Sequence, residues 1–254
     1  MQQNFRLPDI LEIARIEGKV TVDDLAERFQ VTVQTIRRDL GDLANSGRLE
    51  RVHGGAILSS GNINIGYQDR RSLNETAKHS IAKACAARIP NGASVFLNIG
   101  TSTEAVASAL LDHQNLLVVT NNMNVAHILA SRDTCQVIIT GGSLRRSDGG
   151  LVGHLASSTI RQFKFDFAVI GCSALDLDGD LLDFDFQEVD VSQTIIKQAR
   201  KTLLVADHSK LHRTAPARIG SLSEIDTMYT DQPLPTPLMD KCQDWKTEIV
   251  ARGL

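Results

Sequence analysis

From residue 94 onward the chain alternates short apolar runs with helix-like stretches, and this alternation is the strongest constraint on its fold. Runs 94–97, 116–119, 136–139, 167–170, 202–206 and 227–230 are mostly apolar and of strand length. Residues 103–112, 122–131, 154–163 and 187–200, lying between several of them, read as helices. Strands that alternate with helices predict an α/β arrangement, a parallel sheet with helices on its faces. Ligands of such sheets bind outside the carboxyl ends of the strands.

The first sixty residues follow a different rule. Leu7, Ile10, Leu11 and Ala14 share one helical face. Thr21-Val22-Asp23-Asp24 fits a helix start, with the Thr21 hydroxyl capping a free backbone N–H and two carboxylates at the positive helix end. Val22, Leu25, Ala26 and Phe29 supply its buried stripe. After a short turn, Thr32 is the expected N-cap of a further helix whose apolar face is Val33, Ile36, Leu40 and Leu43. Gln34, Thr35, Arg37 and Arg38 fall on its remaining surface, and all four can bond base edges or phosphates. Two short helices separated by about three residues are the helix-turn-helix pattern. The following run Arg48-Leu49-Glu50-Arg51-Val52-His53-Gly54-Gly55-Ala56-Ile57-Leu58 reads as a hairpin, which beside a helix-turn-helix is a wing carrying Arg51 and His53. Ser59-Ser60-Gly61-Asn62 is polar and reads as linker. The expected division is 1–58 for nucleic-acid binding, 59–70 for the linker and 71–254 for the α/β domain.

Composition narrows the function classes. No apolar run approaches the roughly 18–20 residues that span a membrane, and the N-terminus lacks the apolar core of a secretory signal, so a cytoplasmic location is expected. The four cysteines, Cys85, Cys135, Cys172 and Cys242, are widely spaced and read as reduced thiols, with neither a disulfide framework nor a metal site. Net charge is −3, whereas residues 28–57 hold five basic residues against three acidic ones. So modest an excess means that DNA affinity must come from placement and from several copies of the module acting together.

Four segments after apolar runs can carry ligand chemistry. In Asn98-Ile99-Gly100-Thr101-Ser102-Thr103-Glu104, a glycine and three hydroxyls at a strand-to-helix turn suit a phosphate, and equally suit plain N-capping. Thr120-Asn121-Asn122 suits sugar hydroxyls or a capped helix. Gly141-Gly142-Ser143-Leu144-Arg145-Arg146 combines close backbone approach with cations, or is a solvated loop. Asp207-His208-Ser209-Lys210 offers a cation at Lys210, or only a surface lysine. Upstream of it, Asp183-Phe184-Asp185-Phe186-Gln187-Glu188 holds carboxylates that can accept bonds from ligand hydroxyls, face solvent, or act as an acid–base pair. Gly-Lys-Ser/Thr, Gly-x-Ser-x-Gly and His-Glu-x-x-His are absent, which leaves triphosphatase and the common hydrolase classes without support.

Residues 25–43, centred on Thr35-Ile36-Arg37-Arg38-Asp39-Leu40, resemble the DNA-binding signature of DeoR-family bacterial transcriptional regulators. Arg51-Val52-His53-Gly54-Gly55-Ala56, residues 100–103, Thr120-Asn121-Asn122, Gly141-Gly142 and residues 206–210 resemble that family in the same order, over about residues 5–231. Stretches 119–126, 141–145, 181–189 and 207–210 are similar to its glycerol-3-phosphate repressor branch. Asp190 departs from that branch's basic residue, Ser192 lies near a position where many members carry Lys, and Leu211-His212 replaces Phe-Gly. These departures imply a weaker or different effector contact.

The resemblance implies a winged helix-turn-helix joined to a Rossmann-like, sugar-phosphate-isomerase-type sensor domain, without cofactor, metal or catalytic residues. Its expected partners are double-stranded operator DNA and a phosphorylated effector, glycerol 3-phosphate favoured, with the chain as homodimer or homotetramer. Thr32, Gln34, Thr35, Arg37, Arg38, Arg51 and His53 are the expected DNA contacts. The expected effector contacts are Asn98, Gly100, Thr101, Ser102, Thr103, Thr120, Asn121, Asn122, Gly141, Gly142, Arg145, Asp183, Glu188 and Lys210. The phosphate is expected against residues 100–103 with Lys210 and Arg145 as cations, and the hydroxyls at Asn121, Asp183 or Glu188. The alternatives are an isomerase-like enzyme, against which the helix-turn-helix argues, and an activator.

Overall fold

The computed structural model describes residues 6–17, 19–58 and 66–252, without the side chains of Arg15 and Ile16. The expected linker stretch 59–62 lies outside the described residues. The chain opens with α1 (Arg6–Glu17), β1 (Lys19–Thr21), α2 (Val22–Phe29) and α3 (Val33–Asn45), then β2 (Leu49–Val52) and β3 (Gly55–Leu58). Thr21 and Thr32 cap α2 and α3 by accepting from Asp24 N and Thr35 N, each at 3.2 Å. Gln30 ends α2 in the left-handed conformation and turns the chain into α3. Ile10, Ala14, Leu25, Ile36, Leu40 and Leu43 are fully buried in one small core. Arg6 Nε reaches the buried Asp39 at 3.0 Å and ties α1 to α3.

β2 and β3 form the expected hairpin, in register Val52↔Gly55 across the His53-Gly54 turn. Not foreseen from sequence, β1 pairs antiparallel with β3 and makes the wing a three-stranded sheet. β1 has only three residues, too few to show a period. Its pairing depends on Gly55, where a Cβ would stand 2.0 Å from the Val20 carbonyl oxygen.

Next come α4 (Tyr67–Ser72) and α5 (Glu75–Ala86). Residues 67–70, expected as linker, are therefore the body of a helix, and Tyr67, Asp69 and Arg70 are each bonded to another part of the chain. The α/β domain continues with β4 (Ser94–Leu97), α6 (Thr101–Ala109), β5 (Leu116–Thr120), α7 (Met123–Leu129) and β6 (Cys135–Ile139). A hairpin of β7 (Ser143–Arg145) and β8 (Gly150–Val152) leads to α8 (His154–Ile160), β9 (Phe165–Ile170), β10 (Ala174–Leu175), β11 (Asp180–Asp183) and α9 (Phe186–Gln198). The chain then runs through β12 (Ala199–Val205), a 3-10 turn over His208–His212, β13 (Ala217–Ser221), β14 (Thr227–Thr230), α10 (Thr236–Trp245) and β15 (Glu248–Ala251).

Seven strands form one parallel sheet in the order β15-β14-β12-β9-β4-β5-β6. A strand's side chains alternate between sheet faces, and the two large cores follow that alternation. Val95 and Leu97 pack on one face with Val106, Val118 and Val125. Phe96 packs on the other with Phe165, Ile160, Ile195 and Leu204, its ring 5.2 Å from that of Phe165 and steeply inclined to it. β10, β11 and β13 form a small antiparallel sheet beside α9. Helix bounds differ from the expectation by a few residues; α6 starts at Thr101 rather than 103, because Gly100 at φ +140° turns the chain straight into it.

The close approach at Gly55 makes a paired prediction. Gly55→Ala should destabilise the chain by about 1–3 kcal/mol in urea denaturation, the usual cost of overpacking. Gly41→Ala should be neutral or stabilising by up to about 1 kcal/mol, because Gly41 lies inside α3 and an added Cβ would meet no atom within 4 Å.

Candidate functional site

On α3, the residues opposite the buried Ile36, Leu40 and Leu43 form a polar face. Gln34, Arg37 and Arg38 are exposed, and Arg37 and Arg38 enter no ion pair among the described residues. Thr35 is half-buried, and its hydroxyl lies 2.9 Å from that of Thr32, so these two threonines first organise the helix start. Arg51 on the wing is exposed and donates from Nη1 to the Arg37 carbonyl at 3.2 Å, which joins wing and helix into one surface. His53 is exposed at the hairpin turn. All seven expected DNA contacts thus lie on α3, at its cap or on the adjoining hairpin.

In the α/β domain the strand order reverses at the centre. From β4 the chain runs outward through β5 and β6, then returns to place β9 on β4's other side. The turns after β4 and β9 consequently diverge and leave a crevice at their carboxyl ends. A small polar cavity lies there, lined by Ile99, Gly100, Thr101, Ser102 and Thr103 after β4, and by Gly171, Cys172 and Ser173 after β9. Asp183, Glu188, Lys210 and Arg70 complete the wall. Gly100, the N-cap of α6, gives no side-chain cap, so the first backbone N–H groups of the helix can bond an anion.

The acidic and basic groups of this wall, and Asp207 close to Lys210 in sequence, are set by neighbours. Asp207 caps the 3-10 turn, accepting from Ser209 N at 3.1 Å, Ser209 Oγ at 2.5 Å and Asn74 Nδ2 at 2.8 Å. Burial opposes its ionisation, yet Lys210, Ser209 and Asn74 hold its pKa well below the usual carboxylate range. Burial, and then the Arg213 guanidinium, push the Lys210 ammonium down, and Lys210 forms no ion pair among the described residues. A phosphate beside it would favour the charged form and so offset both effects. Asp183 accepts from Ser173 Oγ at 3.0 Å and Phe184 N at 2.6 Å, which fixes its carboxylate at the cavity wall. Burial, then Asp183, raise Glu188 to about 7 although Arg145 opposes the shift.

Several expected effector contacts are placed elsewhere. Asn98 is buried beneath the 100–103 turn and donates to Ser192 Oγ at 2.9 Å. Within the turn, the Thr103 hydroxyl is committed to the Asn98 and Gly100 carbonyls, both at 2.7 Å, and Thr101 Oγ1 to the Arg70 carbonyl at 3.4 Å. Thr120 donates to the Leu97 carbonyl at 2.7 Å, Asn121 to the Leu151 carbonyl at 3.2 Å, and Asn122 caps α7 by accepting from Asn124 N at 2.9 Å. These three hold strand ends together and do not line the cavity. Gly141 and Gly142 also stand off it, with φ of +73° and +121°; a Cβ at Gly142 would come within 2.7 Å of the Val152 carbonyl oxygen. Their glycine requirement is local backbone geometry.

Arg145 is placed differently again. It lines the neighbouring cleft, and its guanidinium is occupied by Asp148 at 2.8 and 2.9 Å, Asp185 at 2.5 Å and Glu188 at 2.6 Å. These bonds engage four of its five N–H groups, so the guanidinium is held chiefly by carboxylates. Sequence reasoning missed Arg70 and the 171–173 turn. Arg70 fell in the supposed linker, and residues 171–173 become relevant only once β9 is known to lie beside β4.

Glu188 gives a pH prediction. A pKa raised from about 4.5 to about 7 means that the folded chain holds this proton more tightly than the unfolded chain. The stabilisation is therefore complete below about pH 4.5 and lost as pH rises through about 7. Thermal melts should show a stability decline between about pH 5 and 8 that Glu188→Gln reduces by roughly 2–3 kcal/mol. An unaltered decline in the variant would assign it to other groups.

Two known domains match this chain: the DeoR-like helix-turn-helix domain over residues 6–61 and the DeoR C terminal sensor domain over residues 73–232. The chain is 44% identical over 249 residues to the glycerol-3-phosphate regulon repressor of Escherichia coli (strain K12), covering 98% of this chain and 99% of that protein. It is 43% identical over 250 residues to the Haemophilus influenzae protein of the same name, covering 98% and 97%. The HTH-type transcriptional repressor CsqR of Escherichia coli (strain K12) is 37% identical over 97% of this chain and 95% of its own length. Two domain matches in the order of the two folded halves, with relatives aligned end to end, make the chain a member of the DeoR family of DNA-binding transcriptional regulators.

Proposed function

We propose that this chain is a repressor of glycerol 3-phosphate metabolism that lets go of its operator when sn-glycerol 3-phosphate fills the cavity beside β4 and β9. The observation that carries this is the cavity itself. An uncapped helix start at Gly100 and a Lys210 without an ion pair among the described residues face the same small space as the hydroxyl-accepting Asp183 and Glu188. A phosphate ester of a short polyol has the complementary halves: a dianion for the first pair and hydroxyl donors for the second. The similarity to two proteins named glycerol-3-phosphate regulon repressor supports the choice of polyol.

In this reading α3 enters the major groove. Gln34 and one of Arg37 and Arg38 read base edges, while the other arginine, Thr32, Thr35, Arg51 and His53 meet the backbone. The small positive excess near the helix argues for a homodimer or homotetramer that places several copies of α3 on one operator. The chain acts in the cytoplasm, where both its DNA and its metabolite are found. A roughly 100-fold effect on operator affinity requires the effector to prefer the releasing arrangement by about 2.7 kcal/mol, within reach of one phosphate bonded in only one of two states.

The test is a gel shift on the DNA upstream of the chain's own gene, with and without sn-glycerol 3-phosphate. The expected result is a retarded complex that the metabolite dissolves. Arg37→Ala or Arg38→Ala should weaken the complex, by about 1–3 kcal/mol for whichever arginine reads a guanine. Lys210→Gln should leave the complex intact but make it resistant to the metabolite. Retention of full binding by both arginine variants would overturn the DNA surface. A complex that sn-glycerol 3-phosphate never dissolves would overturn the effector.

A further inference from the structure

We infer that Arg70 is a ligand of the effector phosphate, and that α4, which carries it, transmits occupancy of the cavity to the DNA-binding domain. The inference rests on the effector reading above and extends it to a residue and a helix. α4 is six residues long and is held on both sides. Tyr67 Oη donates to Glu104 Oε2 at 2.9 Å and accepts from Asn124 Nδ2 at 3.0 Å, both in the sensor domain. Asp69 takes the Lys19 ammonium of β1, in the DNA-binding domain, at 2.8 and 2.9 Å. Adjacent residues of one short helix therefore face the wing and the cavity.

Arg70 has the features of a ligand waiting for an anion. Its side chain lines the cavity with Gly100, Ser102 and Lys210, and also borders the cleft that holds Arg145. Its Nε is buried without an acceptor among the described residues. Its main chain is fastened to the phosphate turn, since its carbonyl accepts from Thr101 Oγ1 at 3.4 Å and from the buried Lys78 ammonium. Among the described residues the one carboxylate it pairs with is Asp148, through Nη2 at 3.2 Å. That carboxylate already has two bonds from Arg145, at 2.9 and 2.8 Å. Asp148 can thus release Arg70 and stay neutralised, whereas Arg145, with three carboxylates, cannot turn away. A phosphate at the start of α6 offers Arg70 a paired acceptor for Nε and one Nη.

In this inference α4 shifts as Arg70 passes from Asp148 to a phosphate and carries the adjacent Asp69 with it, which strains the Lys19 pair. The arrangement with Arg70 on Asp148 and Asp69 on Lys19 is the one that holds operator, and the phosphate-bound arrangement is the one that releases it.

The full-length chain tests this with sn-glycerol 3-phosphate and inorganic phosphate as probes, by titration calorimetry, and with the upstream duplex, by fluorescence anisotropy. Arg70→Gln should lose at least about tenfold in affinity for both probes by the same factor, as removal of a charge-assisted phosphate contact requires. Arg70→Lys, which keeps the charge and loses the fork, should fall between. Asp69→Lys should bind sn-glycerol 3-phosphate within about threefold of the unaltered chain while the metabolite's effect on operator affinity shrinks at least about fivefold; Lys19→Asp in the same chain should restore it. Unaltered affinity in Arg70→Gln and Arg70→Lys would overturn Arg70 as ligand while leaving the effector reading intact. Full metabolite response in Asp69→Lys, or no rescue by the charge swap, would overturn α4 as transmitter. Failure of the unaltered chain to bind sn-glycerol 3-phosphate would overturn the effector reading and this inference together.

Discussion

The parallel pairing of β4 with β9 governs everything the sensor domain does. Val95, Phe96 and Leu97 align with Phe167, Ala168 and Val169, and this register joins two halves of the chain that run outward in opposite directions. A crevice opens only where successive connections leave a sheet toward opposite faces. Here it brings the 100–103 turn against residues 171–173, with Lys210 arriving from the end of β12 next door. Phe96 and Phe165 pack edge to face under the sheet, and Val95 and Leu97 pack above it, so the strand that bears the turn is clamped on both faces. Such clamping matters for a binding site, because a turn that must meet a phosphate has to be held to within a fraction of an ångström.

Charge placement around the crevice follows from the same geometry. Arg145 is shared by Asp148, Asp185 and Glu188, and burial, which would lower its pKa, is overcome by those carboxylates, so it stays charged. Removing one partner from a buried network is costly, since it strands the others, which makes this cluster a fixed anchor. Lys210 and Arg70 are the opposite case, cations with unfilled coordination among the described residues, beside an anion-ready helix start. The separation of a saturated arginine from two unsaturated cations distinguishes framework from site more sharply than residue type does.

Much of this was legible in the sequence, and what was not has physical causes. The helix-turn-helix was readable because both helices repeat with the helical period and both begin at a threonine cap, signals contained within a few residues. The central strands were readable as apolar runs, although β12 starts three residues earlier than expected because Arg200 and Lys201 interrupt its apolar pattern. The 100–103 turn and Lys210 stood out as polar groups at strand ends. The same signal pointed to Asn121 and Asn122, which bond the Leu151 carbonyl and cap α7 away from the cavity, because a strand end that must cap the next helix and one that must hold a ligand use identical side chains. Residues 171–173 and Arg70 could not be found this way: their relevance depends on strand order and on a contact across the chain, neither of which leaves a local period.

Two ion pairs join the halves among the described residues, and they differ in stiffness, which bears on which can act as a switch. Arg213, three residues beyond Lys210, binds Glu50 of the wing through Nε at 2.7 Å and through Nη2, with side chains 4% and 12% exposed. Removing either partner of so buried a pair would strand the other at a cost of about 3–5 kcal/mol, which marks it as the stiffer contact. Lys19 and Asp69 are 40% and 18% exposed, and a pair so open to water contributes about 1 kcal/mol or less. A bound metabolite can therefore shift α4 against the wing with the Arg213–Glu50 pair still closed. The wing would then pivot about the buried pair, which keeps the domains together while the position of α3 changes. That combination suits the proposed release of DNA: a buried pair that stays closed, and an exposed pair weak enough for a single phosphate to move.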